Sequence, residues 1–357
     1  GRGRLNFENI NLVSEETWSL WTKRAIPEHL DLIIAREAPA GNVALVPKDS
    51  KICLGQRTVL IKPDHNKIDP AFLCYYLLSP RMQHELLSKS AGSTVPHINV
   101  KDIKFLNLFN LPTLPTQRKI ASILSAYDDL IENNLKRIKL LEELAQRTYE
   151  EWFVKFRVKG EKLKVNKETG LPEGWEKKKL SDVANFIFGY PFNANDFNAS
   201  RIGTPIIRIR NIPKSDTQDF TTQVVDSKYI INKGDLLVGM DGEFYVNNWC
   251  GPNAYLVQRS CKIEAKNPKH HGYLTQAIVS PIKFYEATIS GATVAHLGKK
   301  HLDEIEINIP LDLFDQEFNY LNTLILQKIN LATQNISLKE ARDILLPRLM
   351  SGEIEVQ

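Results

Sequence analysis

Cysteine is scarce in this sequence. The four present, Cys53, Cys74, Cys250 and Cys261, form no CxxC pair and have no histidine at metal-finger distance. That excludes a zinc finger or ribbon, and free thiols in a reducing cytosol are expected in place of a disulfide framework. No uninterrupted apolar run approaches the ~18 residues that span a bilayer, so no membrane partner is expected. The opening Gly1-Arg2-Gly3-Arg4 is followed by neither an apolar core nor a small-residue cleavage site. It lacks the marks of a signal peptide, and a cytoplasmic location is expected. Neither sign of charge dominates: 46 Lys and Arg stand against 42 Asp and Glu, a formal charge of +4, with a pI near 8.7. This balance permits nucleic-acid binding without demanding it.

Catalytic signatures are missing as well. There is no Asn-Pro-Pro-aromatic methyltransferase motif, because Asn267-Pro268 continues with Lys269. No GxGxxG follows a strand. The segment from Gly291 to Lys299 has six residues between its glycines, where a phosphate loop requires four. Neither paired carboxylates nor a histidine cluster marks a hydrolase or nuclease site. No catalytic residue, metal site or cofactor is therefore expected on this chain.

What the sequence does have is length, periodicity and repetition. At 357 residues, 43% apolar and 25% charged, it holds two or three compact soluble units. From Gln117 to about Phe156, after Pro112 and Pro115, no Gly or Pro occurs. Positions seven apart read Ile120, Tyr127, Asn134, Leu141 and Thr148, with Leu124, Ile131, Ile138, Ala145 and Trp152 as companions. This is an a/d seam that buries one stripe against another helix. Eight basic residues, counting Arg157 just past its end, and seven acidic ones nearly cancel along it, so the helix is expected to face protein rather than DNA. Asn134 within the seam either fixes register or is a tolerated surface residue. A second such helix is expected from about Phe314 to Met350, with Leu324, Leu331, Leu338 and Leu345 seven apart. Each would be roughly 55–60 Å long, and neither can bury its stripe alone.

The repeat organises everything else. SAGSTVPHINVKDI (90–103) before the first helix matches ISGATVAHLGKKHL (289–302) before the second. Gly92, Thr94, His97 and Lys101 align with Gly291, Thr293, His296 and Lys300 at an offset of 199. Pro112 and Gln117 align with Pro310 and Gln316, and DLIIAREAPAGNVALV (31–46) with DLLVGMDGEFYVNNWC (235–250). A domain followed by a helix thus occurs twice. The expected division is a first domain over 1–112 that is short at its start, a helix over 113–158 and a linker over 159–170. A second domain over 171–311, beginning at Leu171-Pro172-Glu173-Gly174-Trp175, and a helix over 312–352 complete it. Strand-like runs at 31–35, 57–62, 206–209 and 235–238, with helical stretches at 70–88 and 271–288, predict a mixed α/β (α+β) fold.

Both domains offer hydrogen-bond donors on loops. In the first these are Arg36, Asn42, Gln56, Arg57, Thr94, His97, Asn99 and Lys101. In the second they are Asn193, Arg208, Arg210, Asn211, Tyr245, His296, Lys299 and Lys300. Arg and Lys suit guanine edges, Asn and Gln suit adenine, and all can hold phosphates. Taken alone, any one of them is more readily explained as a solvated surface group than as a base reader. Positions kept in both copies point to shared structure or phosphate contacts. Positions that differ, such as Arg36-Glu37-Ala38 against Met240-Asp241-Gly242, are where two different sequences would be read.

The GSTVPHI and GATVAHL loops, the Leu111-Pro112 to Gln117 and Ile309-Pro310 to Gln316 helix entries, and the Leu171-Pro172-Glu173-Gly174-Trp175 start together resemble the specificity subunit of type I restriction-modification systems. The resemblance covers almost the whole chain. Two departures stand out: Thr116 replaces the usual acidic residue before Gln117, although Asp315 suits the second copy, and the first domain is short by roughly thirty residues. The resemblance implies two target-recognition domains on an antiparallel helical spacer, each reading half of a bipartite, gapped double-stranded DNA target. It implies docking of two methyltransferase subunits and of restriction-motor subunits, with S-adenosylmethionine, ATP and Mg on those partners. Half-sites about one helical turn apart, roughly 10 bp, would follow. The competing readings are a coiled-coil adaptor without DNA function and a fragment of a larger DNA-modifying enzyme.

Overall fold

The computed structural model describes residues 3–7, 10–88, 96–289, 295–311 and 314–356. The chain forms two compact units, Gly1–Ile131 with Ser337–Gln357, and Glu132–Ile336. Each is mixed α/β, and the same strand register recurs in both.

In the first unit, strand Leu32–Ala35 lies between Val43–Leu45 and Thr58–Ile61, antiparallel to both, with Leu32 opposite Leu45 and Ile61. In the second, Leu236–Gly239 lies between Val246–Asn248 and Ser260–Ala265, with Leu236 opposite Asn248 and Ile263. Both central strands are apolar runs buried on two faces, which is why they read as continuous rather than alternating patterns. The fourth strand of each sheet differs. Gly3–Arg4 runs parallel beside Val43–Leu45, whereas Ala184–Phe188 runs antiparallel beside Ser260–Ala265. The second unit also carries a five-stranded sheet built from Ile230–Ile231, Ala254–Leu256, Thr204–Ile207, Phe220–Thr221 and Phe197–Asn198.

After the sheet, each unit has a pair of helices: Pro70–Leu78 with Pro80–Ser88, and His271–Ala277 with Val279–Thr288. Each pair starts from an Asx-Pro step. Asp69 accepts from the Phe72 N–H at 2.9 Å with Pro70 in the first turn, and Asn267 accepts from the Lys269 N–H at 3.1 Å with Pro268 beside it. The side-chain oxygen satisfies an orphan donor, and proline sits where no N–H is needed. A tyrosine on each pair ties down the chain that follows: Tyr76 donates to the Phe109 carbonyl at 2.9 Å, and Tyr273 to that of Asn308 at 2.6 Å.

The long helices span Leu114–Tyr149 and Asp315–Ser351. The first begins three residues before Gln117, because Pro115 falls in its opening turn. It ends before Phe156, passing into a π-helical turn over Glu150–Val154. Gln117 is buried; its Oε1 accepts from the Asp69 N–H at 2.9 Å and its Nε2 donates to the Pro112 carbonyl at 2.8 Å. Its counterpart Gln316 is exposed, and Glu317 is the buried residue there.

Leu124, Ile131, Asn134 and Ala145 lie in the buried seam as the heptad predicts, while Ile138 and Leu141 are half-buried. At the outer positions the heptad is corrected by one residue. Asp128 rather than Tyr127 is buried, and Tyr149 and Phe153 replace Thr148 and Trp152. By Tyr149, four heptads on from Ile120, a helix of 3.6 residues per turn has drifted by nearly one position against a strict seven-residue repeat, whereas Asp128 is drawn inward by Tyr75 and Arg342. On the second helix Leu324 and Leu331 are buried, Leu338 and Leu345 are half-buried, and Leu346 and Leu349 carry the stripe to its end.

In the second unit, Asn134 meets Asn335 at 3.0 Å, Glu142 meets Lys328 at 2.9 Å, and the Phe153 and Phe318 rings lie 5.6 Å apart. Numbers rising on one helix fall on the other, so the pair is antiparallel. In the first unit the corresponding tie is Asp128 with Arg342 at 2.5 Å, and Asp128 also accepts from the Tyr75 hydroxyl at 2.6 Å.

Among the described residues no helix is long and apolar enough to cross a membrane. No group of three His, Cys, Asp or Glu there could hold a metal ion. The Cys74 and Cys261 thiols are buried, and desolvation pushes each up to about 12, which removes them from thiolate chemistry at neutral pH.

Candidate nucleic-acid interface

The repeated loops converge on one junction, built twice. In the first unit the Arg36 N–H donates to the Arg57 carbonyl at 2.8 Å, and the Arg36 carbonyl accepts from the Ile98 N–H at 3.0 Å. In the second, the Met240 N–H donates to the Arg259 carbonyl at 2.9 Å, and the Met240 carbonyl accepts from the Leu297 N–H at 2.7 Å. Three separate segments are thereby pinned together at the end of each central strand.

The side chains repeat the pattern. His97 Nδ1 lies 2.6 Å from Glu37 Oε1, and Glu37 Oε2 is 3.2 Å from Arg57 Nε. His296 Nδ1 lies 2.5 Å from Asp241 Oδ1, and Asp241 Oδ2 is 2.6 Å from Arg259 Nη1. Each unit therefore carries a histidine, a carboxylate and an exposed arginine in series. Glu37 and Asp241 hold the repeated histidines, so they are equivalent groups. This corrects the expectation that they distinguish the two copies.

The remaining difference is at the neighbouring position. Arg36 donates from Nε to the Ile98 carbonyl at 2.9 Å and lies with Nη2 2.7 Å from His97 Nε2. A guanidinium has only donors, so Nε2 accepts and the ring proton sits on Nδ1, donated to Glu37. Met240 leaves His296 without this clamp, and the His296 side chain is 60% exposed against 36% for His97.

The other expected donors divide by what they do. Arg36 is structural, its donors spent inside the unit. Asn211 is buried; its Oδ1 accepts from the Arg208 N–H at 2.8 Å and its Nδ2 donates to the Asp216 carbonyl at 2.8 Å, so it too is structural. Tyr245 packs half-buried against the cluster of Ile207, Leu237 and Trp249. Asn42 is half-buried in the turn before Val43–Leu45. Asn193 accepts from the Asn195 N–H at 3.1 Å at the start of a 3-10 turn.

Arg208 and Arg210 share Asp219, at 3.7 and 2.5 Å, and remain partly exposed. Lys299 and Lys300 pair with Asp303 and Glu304 along their own short helix, at 2.6 and 3.8 Å. Asn99 donates to Asp102 at 3.1 Å, and Gln56, Arg57, Asn99 and Lys101 are exposed. Thr94, with its counterpart Thr293, lies outside the described residues.

Arg259 escaped the sequence reading. Its signal is the Gln-Arg dipeptide at 56–57 and again at 258–259, an offset of 202 that lies between the 204 separating Asp31 from Asp235 and the 199 separating His97 from His296.

Two like units, each with one repeated strand register and an exposed cluster of donors, define a duplicated recognition protein. The model of the type I restriction modification DNA specificity domain matches residues 19–143 and 172–338. The chain is 27% identical to the type I restriction enzyme MjaIX specificity subunit of Methanocaldococcus jannaschii, over 97% of this chain and 82% of that protein. It is 24% identical to the HindI specificity subunit of Haemophilus influenzae, over 93% of this chain and 88% of that one. The crystal structure of the type I restriction-modification S subunit from M. genitalium shares the fold, with a TM-score of 0.56 at 18% identity over 90% of this chain and 83% of that one. The chain belongs to the type I restriction-modification DNA specificity family, and its function is DNA target recognition.

Proposed function

We propose that each unit reads one half of a bipartite, gapped sequence in double-stranded DNA, and that the two long helices set the gap. The helices also dock two methyltransferase subunits, and the restriction-motor subunits join that core. On this reading the chain is a non-catalytic cytoplasmic subunit, and S-adenosylmethionine, ATP and Mg belong to its partners.

The observation that carries the reading is the junction built twice in one chain, each time followed by a long helix with a buried seam. Base reading falls to exposed donors that differ between the copies, such as Asn99 in the first unit and Arg210 and Lys299 in the second. Arg and Lys favour guanine edges, and Asn and Gln favour adenine.

Methylome sequencing of cells carrying the chain with its methyltransferase subunit tests this directly. A single motif of two defined halves around an unread gap is the expected result. A continuous motif, or no methylation dependent on the chain, would refute it.

A further inference from the structure

We propose that Arg57 and Arg259 are equivalent contacts to the DNA phosphate backbone, one in each unit, each presented by a carboxylate (Glu37, Asp241) that a histidine (His97, His296) holds in place. The proposal rests on the DNA-recognition reading above and adds to it the residues that anchor the duplex.

The first argument is repetition. Two units that read different bases should differ wherever they touch base edges. What they share should touch what every DNA segment shares, and phosphates position a protein without carrying sequence. The two backbone hydrogen bonds of the junction and its series of histidine, carboxylate and arginine recur in both units, although Glu37 and Asp241 differ in length and the side-chain bonds of Arg36 have no counterpart at Met240.

The second argument is geometry. The backbone of each arginine is fixed by the N–H of residue 36 or 240, and its side chain is fixed by the carboxylate. The side chains are nonetheless 73% and 65% exposed. Among the described residues the carboxylate engages only Nε of Arg57 and only Nη1 of Arg259. A guanidinium has five donors in one plane, so the rest of the fork stays available to a phosphate oxygen.

The third argument is electrostatic. A carboxylate on a DNA-facing loop repels the polyanion and would be selected against if it did nothing. In both units it is largely buried, and it is bonded to the histidine on one oxygen and to the arginine on the other. That is the arrangement of an orienting group.

The test uses the full chain assembled with its methyltransferase subunits, bound to a duplex carrying the methylated motif and to a scrambled duplex of equal length. Binding is measured across a series of salt concentrations. Arg57→Ala and Arg259→Ala should each weaken binding to both duplexes by the same factor. Each should lower the slope of log affinity against log salt by about one, and the double variant by about two. The methylated motif should be unchanged, and so should the melting temperature, since both side chains are exposed.

Asp241→Asn separates positioning from charge. Removing a negative charge alone would tighten binding, whereas loss of orientation loosens it with the salt slope retained, and loosening is expected. An unchanged slope in the arginine variants overturns the phosphate contact. A motif relaxed at one base makes the arginine a base reader and overturns it equally. Tighter binding by Asp241→Asn overturns the orienting role. Failure of the unsubstituted assembly to bind either duplex would defeat the DNA reading itself, and is distinct from all of these.

Discussion

Asn134 donates from Nδ2 to Oδ1 of Asn335 at 3.0 Å, and both side chains are buried in the helix seam, at 5% and 3% exposure. The sequence left open whether Asn134 was a register device or a surface residue, and burial against a partner amide removes the surface alternative. A polar pair in an apolar stripe costs stability in every register except the one that satisfies it.

Asn134→Leu should remove the donor that Asn335 Oδ1 accepts from and destabilise the chain by about 1–3 kcal/mol. The double variant Asn134→Leu with Asn335→Leu should recover most of that loss, because both unmet groups are gone. Urea unfolding of the four proteins in the cycle measures the coupling. A single variant as stable as the parent would show that the pair specifies nothing.

The second unit should lose stability in mild acid through His271. This ring is desolvated between the sheet and the second long helix, and burial holds its pKa below the ordinary 6.5. The nearby Asp235 charge and a hydrogen bond with the Gly234 backbone work in the opposite direction, and Lys262 adds to the lowering. Its Nε2 faces the Asn248 amide nitrogen at 3.1 Å and therefore accepts. A histidine lowered in the folded state binds its proton more readily when unfolded. Its stabilising contribution is thus complete above the unfolded pKa and is lost as pH falls below it. His270, lowered by the same cause, acts in the same direction. Melting temperature should fall between about pH 7.5 and about pH 5.5, and His271→Gln should flatten that dependence in part. A steeper dependence in the variant would contradict the assignment.

The repeat and the two helices were legible because both are encoded in local, periodic patterns. Leu124, Ile131, Leu324 and Leu331 announce a seam by spacing alone, and the strand at Asp31–Ala35 could be matched with Asp235–Gly239 by eye. The junction was not legible, because its members come from three segments and their offsets drift from 204 through 202 to 199. Glu37 and Asp241 looked like a difference between the copies, and only their shared partner histidines reveal them as one position. Asn211 and Arg36 were sound candidates by residue type. Whether a donor points outward or is spent on the chain's own carbonyls depends on tertiary contacts that no local pattern records. Of the second sheet only the strand at Thr204–Ile207 was legible, as the run at 206–209; the other strands are short and separated by irregular turns.

The chain alone should not modify DNA. Purified protein incubated with labelled S-adenosylmethionine and duplex should transfer no methyl group, and transfer should appear on adding the methyltransferase subunit. Methyl transfer by the pure chain would place chemistry here that the reading assigns to a partner.

The units should be exchangeable. Replacing residues 171–311 with the matching region of a relative keeps the repeated junction at Asp241, Arg259 and His296 intact if the donor chain carries the same three groups. One half of the methylated motif should change and the other persist. A swap that alters both halves would mean the units do not read independently.

The gap between half-sites should follow the length of the helices. They are antiparallel, with Glu142 opposite Lys328 and Asn134 opposite Asn335, so an insertion in one helix alone would break these pairs. Four residues inserted in each helix, after Ile138 and after Leu331, add about one turn, or ~6 Å, to the pair while leaving both sets of contacts in register. Four residues overshoot a full turn only slightly, so the seam stays on the inner face. At 3.4 Å per base pair, ~6 Å corresponds to close to two base pairs. The methylated motif in cells expressing this variant with its methyltransferase subunit should keep both halves and widen its unread gap by one or two positions. The single-helix insertion serves as the control and should reduce methylation without moving the gap cleanly, because it removes the Lys328 and Asn335 ties. A paired insertion that leaves the gap unchanged while methylation persists would show that the helices are not the ruler, whatever else they hold together.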